Sequence, residues 1–212
     1  TVLATRQGNR ILYSDDFGQT WAVLGKNVAE AAPRGDEAKI EELPNGNVLL
    51  SSRVTGGRFF NIYFYEDKKL ATGSWGKVAM SGAANHGVTA KGNACNGEVL
   101  LVNAKKNGKK VKLLLQSVPC GPQRTNVGIY YKALETAADY ATPEAIAKDW
   151  EGCYRVSDTT SAYSTMVQGK DGSIFFLLEE NAFRHPETEP DDYYDIRFDK
   201  LSIGQITGGQ YK

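Results

Sequence analysis

The first candidate for chemistry is a carboxylate and an arginine at the open end of a predicted β-hairpin. Pro44-Asn45-Gly46 lies between two apolar runs, and this is strong hairpin-turn sequence. Glu37 and Arg53 each lie eight residues from Asn45. Because such residues face each other in an antiparallel ladder, we expect Glu37 and Arg53 to be cross-strand partners. A guanidinium group binds a planar carboxylate in paired hydrogen bonds, so this pair suits an acidic ligand.

A second predicted hairpin repeats the arrangement with a tyrosine and a carboxylate. Tyr163 and Glu179 each lie eight residues from Asp171, which is at the centre of the predicted turn. An isolated tyrosine hydroxyl has a pKa of about 10, so it becomes a nucleophile only when a base accepts its proton. Glu37 is a candidate for that base. We interpret the two hairpins as the walls of one site.

Composition excludes several functional classes. Among the 212 residues, Lys plus Arg and Asp plus Glu number 25 each, so the net charge indicates neither nucleic acid nor a membrane surface as partner. No apolar run is long enough to span a membrane. The three cysteines fit neither a zinc pattern nor a disulfide framework, and both one bridge with one free thiol and three free thiols remain open. With only two histidines, we predict no metal site, and we predict no cofactor.

The rest of the chain has an all-β pattern, with hairpin signals about every dozen residues. The segment 14–21 matches S-x-D-x-G-x-T-W at every position. In such a turn Ser14 and Asp16 bind backbone amides and Gly18 supplies a positive φ, and we expect Trp21 to fold into the core. The segment 66–75 is a weaker copy of this pattern and also ends in tryptophan. The loose recurrence of these segments indicates propeller blades rather than a sandwich.

One segment has a helix-like composition. Residues 137–150 contain Thr142-Pro143-Glu144, which is suited to a cap and first helical turn. The segment also closes in Trp150, so another weak copy of the turn is the alternative.

Three motifs together give a resemblance to a known family. The Glu37 to Arg53 stretch, Arg124-Thr125-Asn126, and Ser161-Ala162-Tyr163-Ser164 followed by Glu179 resemble the catalytic propeller of bacterial sialidases, and the 14–21 turn resembles their Asp box. The resemblance implies an all-β, six-bladed propeller. At about 40–50 residues per blade, this chain supplies about four blades. Residues 1–212 are therefore expected to be the C-terminal part of the catalytic domain.

The resemblance also implies a role for each matching residue. Tyr163 corresponds to the nucleophile and Glu37 to the group that activates it. Arg53 and Arg124 correspond to arginines that bind the substrate carboxylate, and Glu179 to a glutamate that orients the first arginine of a triad. The implied activity is that of an exo-α-sialidase, a retaining glycosidase that removes terminal sialic acid from glycoconjugates through a tyrosine–glycosyl intermediate.

Several assignments keep alternatives. Residues of the 93–97 loop are candidate contacts for the glycerol or acyl arm of the substrate, with a plain turn as the alternative; these are Asn93, Cys95 and Asn96. Other arginines could take the place of Arg124, namely Arg34, Arg58 and Arg155. Glu180 is the alternative to Glu179, although strand alternation from Tyr163 favours Glu179.

The family also requires an aspartate acid/base and a first arginine before the first Asp boxes. Arg6 and Arg10 lie on strands leading into Ser14, and we accept neither. We therefore expect an N-terminal portion of the same enzyme as partner, with sialylated glycans as substrate. The resemblance places such an enzyme in the bacterial periplasm, on the cell surface or in the medium. Two alternatives remain: a sialidase that forms a transferred or anhydro sugar, and a non-catalytic propeller that serves as a binding module.

Overall fold

The computed structural model describes residues 2–5, 8–25, 31–32, 36–181 and 194–212. Their strands form four antiparallel sheets. The first sheet contains β1 (Val2–Thr5), β2 (Gly8–Tyr13) and β3 (Ala22–Val23). The second contains β4 (Asp36–Glu42), β5 (Val48–Val54), β6 (Gly56–Asp67) and β7 (Thr72–Trp75), and β6 also pairs with the short strands β8 (Ala79–Ser81) and β9 (Thr89–Ala90).

The third and fourth sheets complete the described chain. The third contains β10 (Val99–Lys106), β11 (Lys109–Pro119), β12 (Val127–Leu134) and β13 (Gly152–Arg155). The fourth contains β14 (Ser161–Gln168), β15 (Ile174–Glu180) and β16 (Asp195–Leu201). Apart from β8 and β9, strand order follows chain order in each sheet; β10 contacts both β4 and β14. The prediction of an all-β partial propeller is confirmed.

The apolar core lies in layers between successive sheets. Leu49 belongs to a cluster shared with the third sheet, whereas its neighbour Leu50 belongs to a cluster shared with the first. Leu113 and Leu114 divide in the same way between the fourth sheet and the second. Successive side chains of a strand point to opposite faces, so a blade packed on both sides needs apolar residues at consecutive positions. This explains why these strands have continuous apolar runs.

The 14–21 turn joins β2 and β3 and is closed by its own side chains. Gly18 N donates to Ser14 Oγ at 2.7 Å, and Thr20 N donates to Asp16 Oδ1 at 2.8 Å. Gly18 has a φ of 85°, as expected. The prediction that Trp21 enters the core is wrong, because 52% of its surface is exposed. Its indole Nε1 donates to Gly18 O at 3.1 Å, so the ring closes the turn instead of packing between sheets.

The weaker copy at 66–75 occupies the corresponding position between β6 and β7. Asp67 Oδ1 accepts hydrogen bonds from Lys69 N at 2.8 Å and Leu70 N at 3.2 Å. Trp75 meets the ring of Tyr63 edge-on, with centroids 5.3 Å apart.

The helix predicted within 137–150 is present as a short segment. A 3₁₀ turn, Ala137–Tyr140, precedes α1 (Pro143–Ala147), and Thr142 Oγ1 caps α1 by accepting from Ala145 N at 3.2 Å. The segment connects β12 to β13, the position that the two loops above take in their sheets. Its closing residue, Trp150, is buried and stacks on Phe60 with centroids 5.9 Å apart.

After β16 the chain forms a second short helix, α2 (Ile203–Ile206). Within the described ranges, no helix is long and apolar enough to cross a membrane.

Candidate active site

Each of the two site hairpins carries a β-bulge near its open end. In the first, Lys39 pairs with Ser51, but Arg53 pairs with Asp36, so residues 37 and 38 lie opposite Ser52 alone. Glu37 has a φ of 46°, which is unusual for a residue with a side chain and accounts for the irregularity. The predicted register is correct from the turn to Lys39 and shifted by one residue beyond it.

The second hairpin has the same irregularity. Ser164 pairs with Leu178 and Ser161 with Glu180, so residues 162 and 163 lie opposite Glu179 alone. The hydroxyl of Ser161 accepts a hydrogen bond from Val127 N at 2.9 Å and thereby anchors this end of β14 to the third sheet. Bulges redirect side chains at sheet ends, and these two bulges contain the two residues that meet in the site.

The centre of the site is a contact among Tyr163, Glu37 and Arg53. The Tyr163 hydroxyl donates a hydrogen bond to Glu37 Oε1. Arg53 Nη1 donates to Tyr163 Oη at 3.3 Å. The same Nη1 lies 2.7 Å from Glu37 Oε2, as an ion pair rather than an aligned hydrogen bond. The three side chains are partly buried, so their charges interact more strongly than they would in bulk water.

The environment keeps the phenol protonated at rest. Partial burial raises the pKa of Tyr163, and so does the Glu37 carboxylate, while Arg53 opposes the shift. The proton is nevertheless already directed at a carboxylate oxygen. The arrangement can therefore move that proton to Glu37 when the tyrosine oxygen forms a new bond, and Arg53 can stabilise the negative charge.

Arg124 borders the same tyrosine. Its guanidinium carbon lies 5.5 Å from the centroid of the Tyr163 ring, within cation–π range. The side chain is exposed and makes no ion pair within the part of the chain that the structure describes. Its backbone oxygen accepts from Ser161 N at 2.9 Å, so the loop that carries Arg124 is joined to β14. Arg124 is thus placed to bind an incoming anion.

The three alternatives to Arg124 lie elsewhere or are enclosed. Arg58 is fully buried, Arg155 is exposed on β13, and Arg34 lies outside the described residues.

Glu179 contacts the site tyrosine through the backbone. Its Oε2 accepts from Tyr163 N at 3.2 Å, which fixes the bulged residue. The role of Glu179 in orienting an arginine stays a prediction. Glu180 is buried and forms an ion pair with Arg197 at 3.1 Å, so it is engaged on the other face of β15.

Asn93 holds the loop that leads to Arg124. Its Nδ2 donates to Gln123 O at 2.7 Å and to Pro119 O at 3.3 Å, and the residue is buried. Since these carbonyls lie at the end of β11 and immediately before Arg124, the described contacts make Asn93 a support of that arginine. A direct contact with substrate stays a prediction.

Cys95 lies near Arg124 and Arg53, and Asn96 is the next residue in the chain. Cys95 is buried, and burial raises the pKa of its thiol to about 11 although Arg124 and Arg53 oppose the shift, so the thiol is neutral. Asn96 Oδ1 is buried and has no hydrogen-bond partner among the described residues. The roles of both residues toward a substrate stay predictions.

A buried polar network beneath the site was not predicted from the sequence. Arg58 Nη1 donates to Cys95 O at 2.9 Å and its Nε donates to Ser51 Oγ at 3.0 Å. Ser51 Oγ in turn donates to Gln116 Oε1 at 2.6 Å. Burial lowers the pKa of Arg58 to about 10, and the group remains charged at neutral pH. The network ties the Cys95 loop and β5 to the third sheet. In the sequence, the only sign of this network is that Ser51, Arg58 and Gln116 lie within largely apolar strands.

The cysteines are present as thiols. Cys120 Sγ and Cys153 Sγ lie 3.3 Å apart next to Gly128, in hydrogen-bond contact and without a disulfide, and Cys95 is separate from them. Across the described residues there is no group of three or more His, Cys, Asp or Glu side chains placed to hold a metal ion.

The described sheets have the architecture of a sialidase-type β-propeller. Among solved structures, the chain is similar to the NanB sialidase of Streptococcus pneumoniae, with a TM-score of 0.71 and 19% identity over 97% of this chain. It is also similar to the intramolecular trans-sialidases of Ruminococcus gnavus (TM-score 0.67, 18% identity) and of leech (0.69, 19%), over 96% of this chain in both cases. An α-L-arabinanase of Penicillium chrysogenum matches at a TM-score of 0.52 and 15% identity over 96% of this chain and 57% of its own.

The chain spans 40% of the Ruminococcus gnavus chain and 29% of the leech and NanB chains. No protein-family model and no curated protein matches the sequence.

Proposed function

We propose that this chain contributes the nucleophile and the substrate-binding arginines of an exo-α-sialidase, which removes terminal sialic acid from glycans with retention of configuration. The observation that carries the proposal is the hydrogen bond from Tyr163 to Glu37, with Arg53 in contact with both residues. The sialidase-type fold supports it.

The substrate explains why a tyrosine would be the nucleophile. Sialic acid carries a carboxylate on its anomeric carbon, which repels an ionised Asp or Glu nucleophile. The Tyr163 hydroxyl is neutral at rest, because its pKa is raised. As Tyr163 Oη bonds to the anomeric carbon, its proton passes to Glu37 Oε1 and the glycosidic C–O bond breaks. Water then attacks the same carbon and gives its proton to the acid that protonated the leaving group, while the bond to Tyr163 breaks and Glu37 returns the proton to the phenol. Two inversions at one centre give net retention.

The arginines would hold the substrate carboxylate next to this nucleophile. Arg53 is partly buried and fixed by Glu37, and Arg124 is exposed at the edge of the tyrosine ring. Guanidinium groups bind carboxylates in charge-assisted hydrogen bonds, which supply both affinity and orientation.

The leaving-group oxygen needs a proton from an acid. The hydrogen bonds and ion pairs of the described residues connect the Tyr163 hydroxyl to Glu37 and Arg53 alone. We propose that an N-terminal portion of the same enzyme supplies an aspartate as this acid, together with a first arginine, which Glu179 would orient. Sialylated glycans on the outside of cells are the substrates that we propose for a secreted, periplasmic or surface location.

Time-resolved proton NMR of the full-length protein with 3′-sialyllactose tests this function. We expect free sialic acid that appears first as the α anomer and then equilibrates to the β anomer, with no product from the Tyr163→Phe variant. An anhydro or transferred sugar would instead identify an intramolecular or transglycosylating sialidase. Binding of the sialoside without any product would identify a non-catalytic binding module.

A further inference from the structure

A lysine-rich hairpin lies at the opposite end of the blades from Tyr163. The residues 105–112, here called the lysine hairpin, join β10 to β11 and have the sequence KKNGKKVK, with five lysines and no acidic residue. Lys105 pairs directly with Lys110, and Lys106 pairs with Lys109. Like charges directly opposite each other destabilise an antiparallel pair, so hairpin stability alone does not explain this sequence. The zero net charge of the chain conceals this local excess.

Little of this charge is neutralised within the protein. Lys106 forms an ion pair with Glu135 at 2.8 Å. Lys105, Lys109 and Lys110 are exposed, and none of them has an ion-pair partner among the residues that the structure describes. The hairpin therefore presents a positive potential to solvent.

Two cavities flank the lysine hairpin. The larger, of about 720 Å³, lies between the hairpin, the β14–β15 turn at 171–173 and residues 202–204. The smaller, of about 560 Å³, is bounded by the hairpin together with Leu134 and Glu135. Lys110 borders both cavities. Each cavity has a volume typical of small-molecule sites, roughly 300–1,000 Å³. The β14–β15 turn is at the end of its hairpin away from Tyr163, so these cavities are separate from the candidate active site.

We propose that the lysine hairpin and its two cavities bind an acidic polysaccharide, with the lysines contacting its carboxylate or sulfate groups and the cavities accepting sugar rings. Five lysines without an acidic side chain in the same hairpin attract a polyanion, and a lysine ammonium group can contact carboxylate or sulfate oxygens without a fixed paired geometry. Among the described residues, no aromatic side chain lines either cavity, so bases would have no surface on which to stack. Concave cavities on both sides of a ridge suit a flexible chain of sugars better than a flat lipid surface.

Matched lysine variants of the full-length protein test the proposal by affinity for heparin and for hyaluronan as a function of salt. The test variant changes Lys105, Lys109 and Lys110 to Gln. The control variant changes three other exposed lysines to Gln and so removes the same charge; these are Lys69, Lys77 and Lys148. We expect the test variant to lose tenfold or more in affinity for at least one of the polysaccharides, and the control to stay within twofold of the wild type. The slope of log affinity against log salt should become shallower by roughly 2 in the test variant only.

Other outcomes would overturn the proposal. Equal losses in the two variants would indicate attraction by net charge alone. Tighter binding to duplex DNA than to either polysaccharide would make the hairpin a nucleic-acid surface, and binding to phosphatidylserine vesicles without polysaccharide binding would make it a membrane surface. Folding is checked by melting temperature: because like-charged pairs are removed, the test variant should melt about 1–3 °C higher than the wild type. If the test variant melts lower and does not bind, the loss is attributed to unfolding. The single exchange Lys109→Gln at the turn then decides: the proposal stands only if this variant binds the polysaccharide more weakly.

Discussion

The Tyr163 hydroxyl donates a hydrogen bond to the carboxylate of Glu37, although the two residues are 126 positions apart and belong to different sheets. Each residue lies in a β-bulge at the open end of its hairpin. Strand β11 lies between their two sheets, and its Ser117 Oγ accepts a hydrogen bond from Ser164 Oγ at 2.8 Å. The contact is thus supported by a β-bulge on each side and by the buried hydrogen bond between Ser164 and Ser117. Together these features limit the conformational freedom of both side chains.

Exchange of Glu37 for Gln should remove most of the turnover. A neutral amide cannot accept the phenolic proton, so we expect kcat to fall by about 10²–10⁴ while the protein stays folded. The measurement is steady-state hydrolysis of an aryl sialoside by the full-length protein. Glu41→Gln is a suitable control at the other end of the same strand, and a normal rate for Glu37→Gln would remove Glu37 from the role of base.

The pKa of Tyr163 should depend on Glu37. Burial and the Glu37 carboxylate both raise it, and Arg53 lowers it. Exchange of Glu37 for Gln leaves burial and Arg53 in place and removes the negative charge, so the pKa of Tyr163 should fall. Ultraviolet titration of phenolate measures this, with Tyr163→Phe identifying the transition that belongs to Tyr163.

The raised pKa of Tyr163 also makes the stability of the folded protein depend on pH at high pH. Because the folded protein favours the neutral phenol, the contribution of Tyr163 is fully present below a pH of about 10 and is lost as the pH rises through the raised pKa. An unchanged Tyr163 titration in Glu37→Gln would contradict the electrostatic coupling of the two groups.

Arg124→Lys should weaken binding of ligands that carry the carboxylate. Arg124 is exposed, so solvent screening limits its share to about 1 kcal/mol. Arg53 is partly buried, and Arg53→Lys should cost about 2–3 kcal/mol. Calorimetry with a sialic acid analogue and with its primary amide separates the effects. If affinity for the amide fell as much as affinity for the acid, neither arginine could be assigned to the carboxylate.

Asn93→Ala should disturb Arg124 without touching the nucleophile. The exchange removes the side-chain donors to Pro119 O and Gln123 O, so the loop that carries Arg124 loosens. We expect KM to rise about tenfold and kcat to change little, since binding in the ground and transition states is lost together. Asn45→Ala, at an exposed position in the β4–β5 turn away from the site, is the control. A fall in kcat at constant KM would mean that Asn93 acts on the chemical step.

The hairpins of the site could be predicted from the sequence because their turns and apolar runs are strong local signals. The spacing of Glu37, Arg53, Tyr163 and Glu179 about those turns also predicted which ends would meet. The bulges could not be predicted, because Glu37 adopts a positive φ that its residue type does not favour. Tertiary contacts impose that conformation, and no local pattern records it.

The indole of Trp21 was misplaced for a similar reason. Its apolar character predicted burial, but the hydrogen bond to Gly18 O keeps the ring on its own turn. The supporting role of Asn93 was missed because the carbonyls that it binds lie 26 and 30 residues away in sequence. From the sequence, Arg58 is only an alternative anion-binding arginine, because arginine is rarely enclosed without a carboxylate partner; in the structure it is fully buried.

Covalent trapping tests the central claim most directly. The probe is a sialosyl fluoride with a second fluorine on the ring carbon next to the anomeric centre. Fluoride leaves without a proton donor, and the second fluorine destabilises the oxocarbenium-like transition state, so that the glycosyl-enzyme persists. Peptide mass spectrometry of the full-length protein should place the added sugar on Tyr163, with no adduct in Tyr163→Phe. An adduct on Glu37 or on another residue, or turnover of the probe with Tyr163 never modified, would contradict the account.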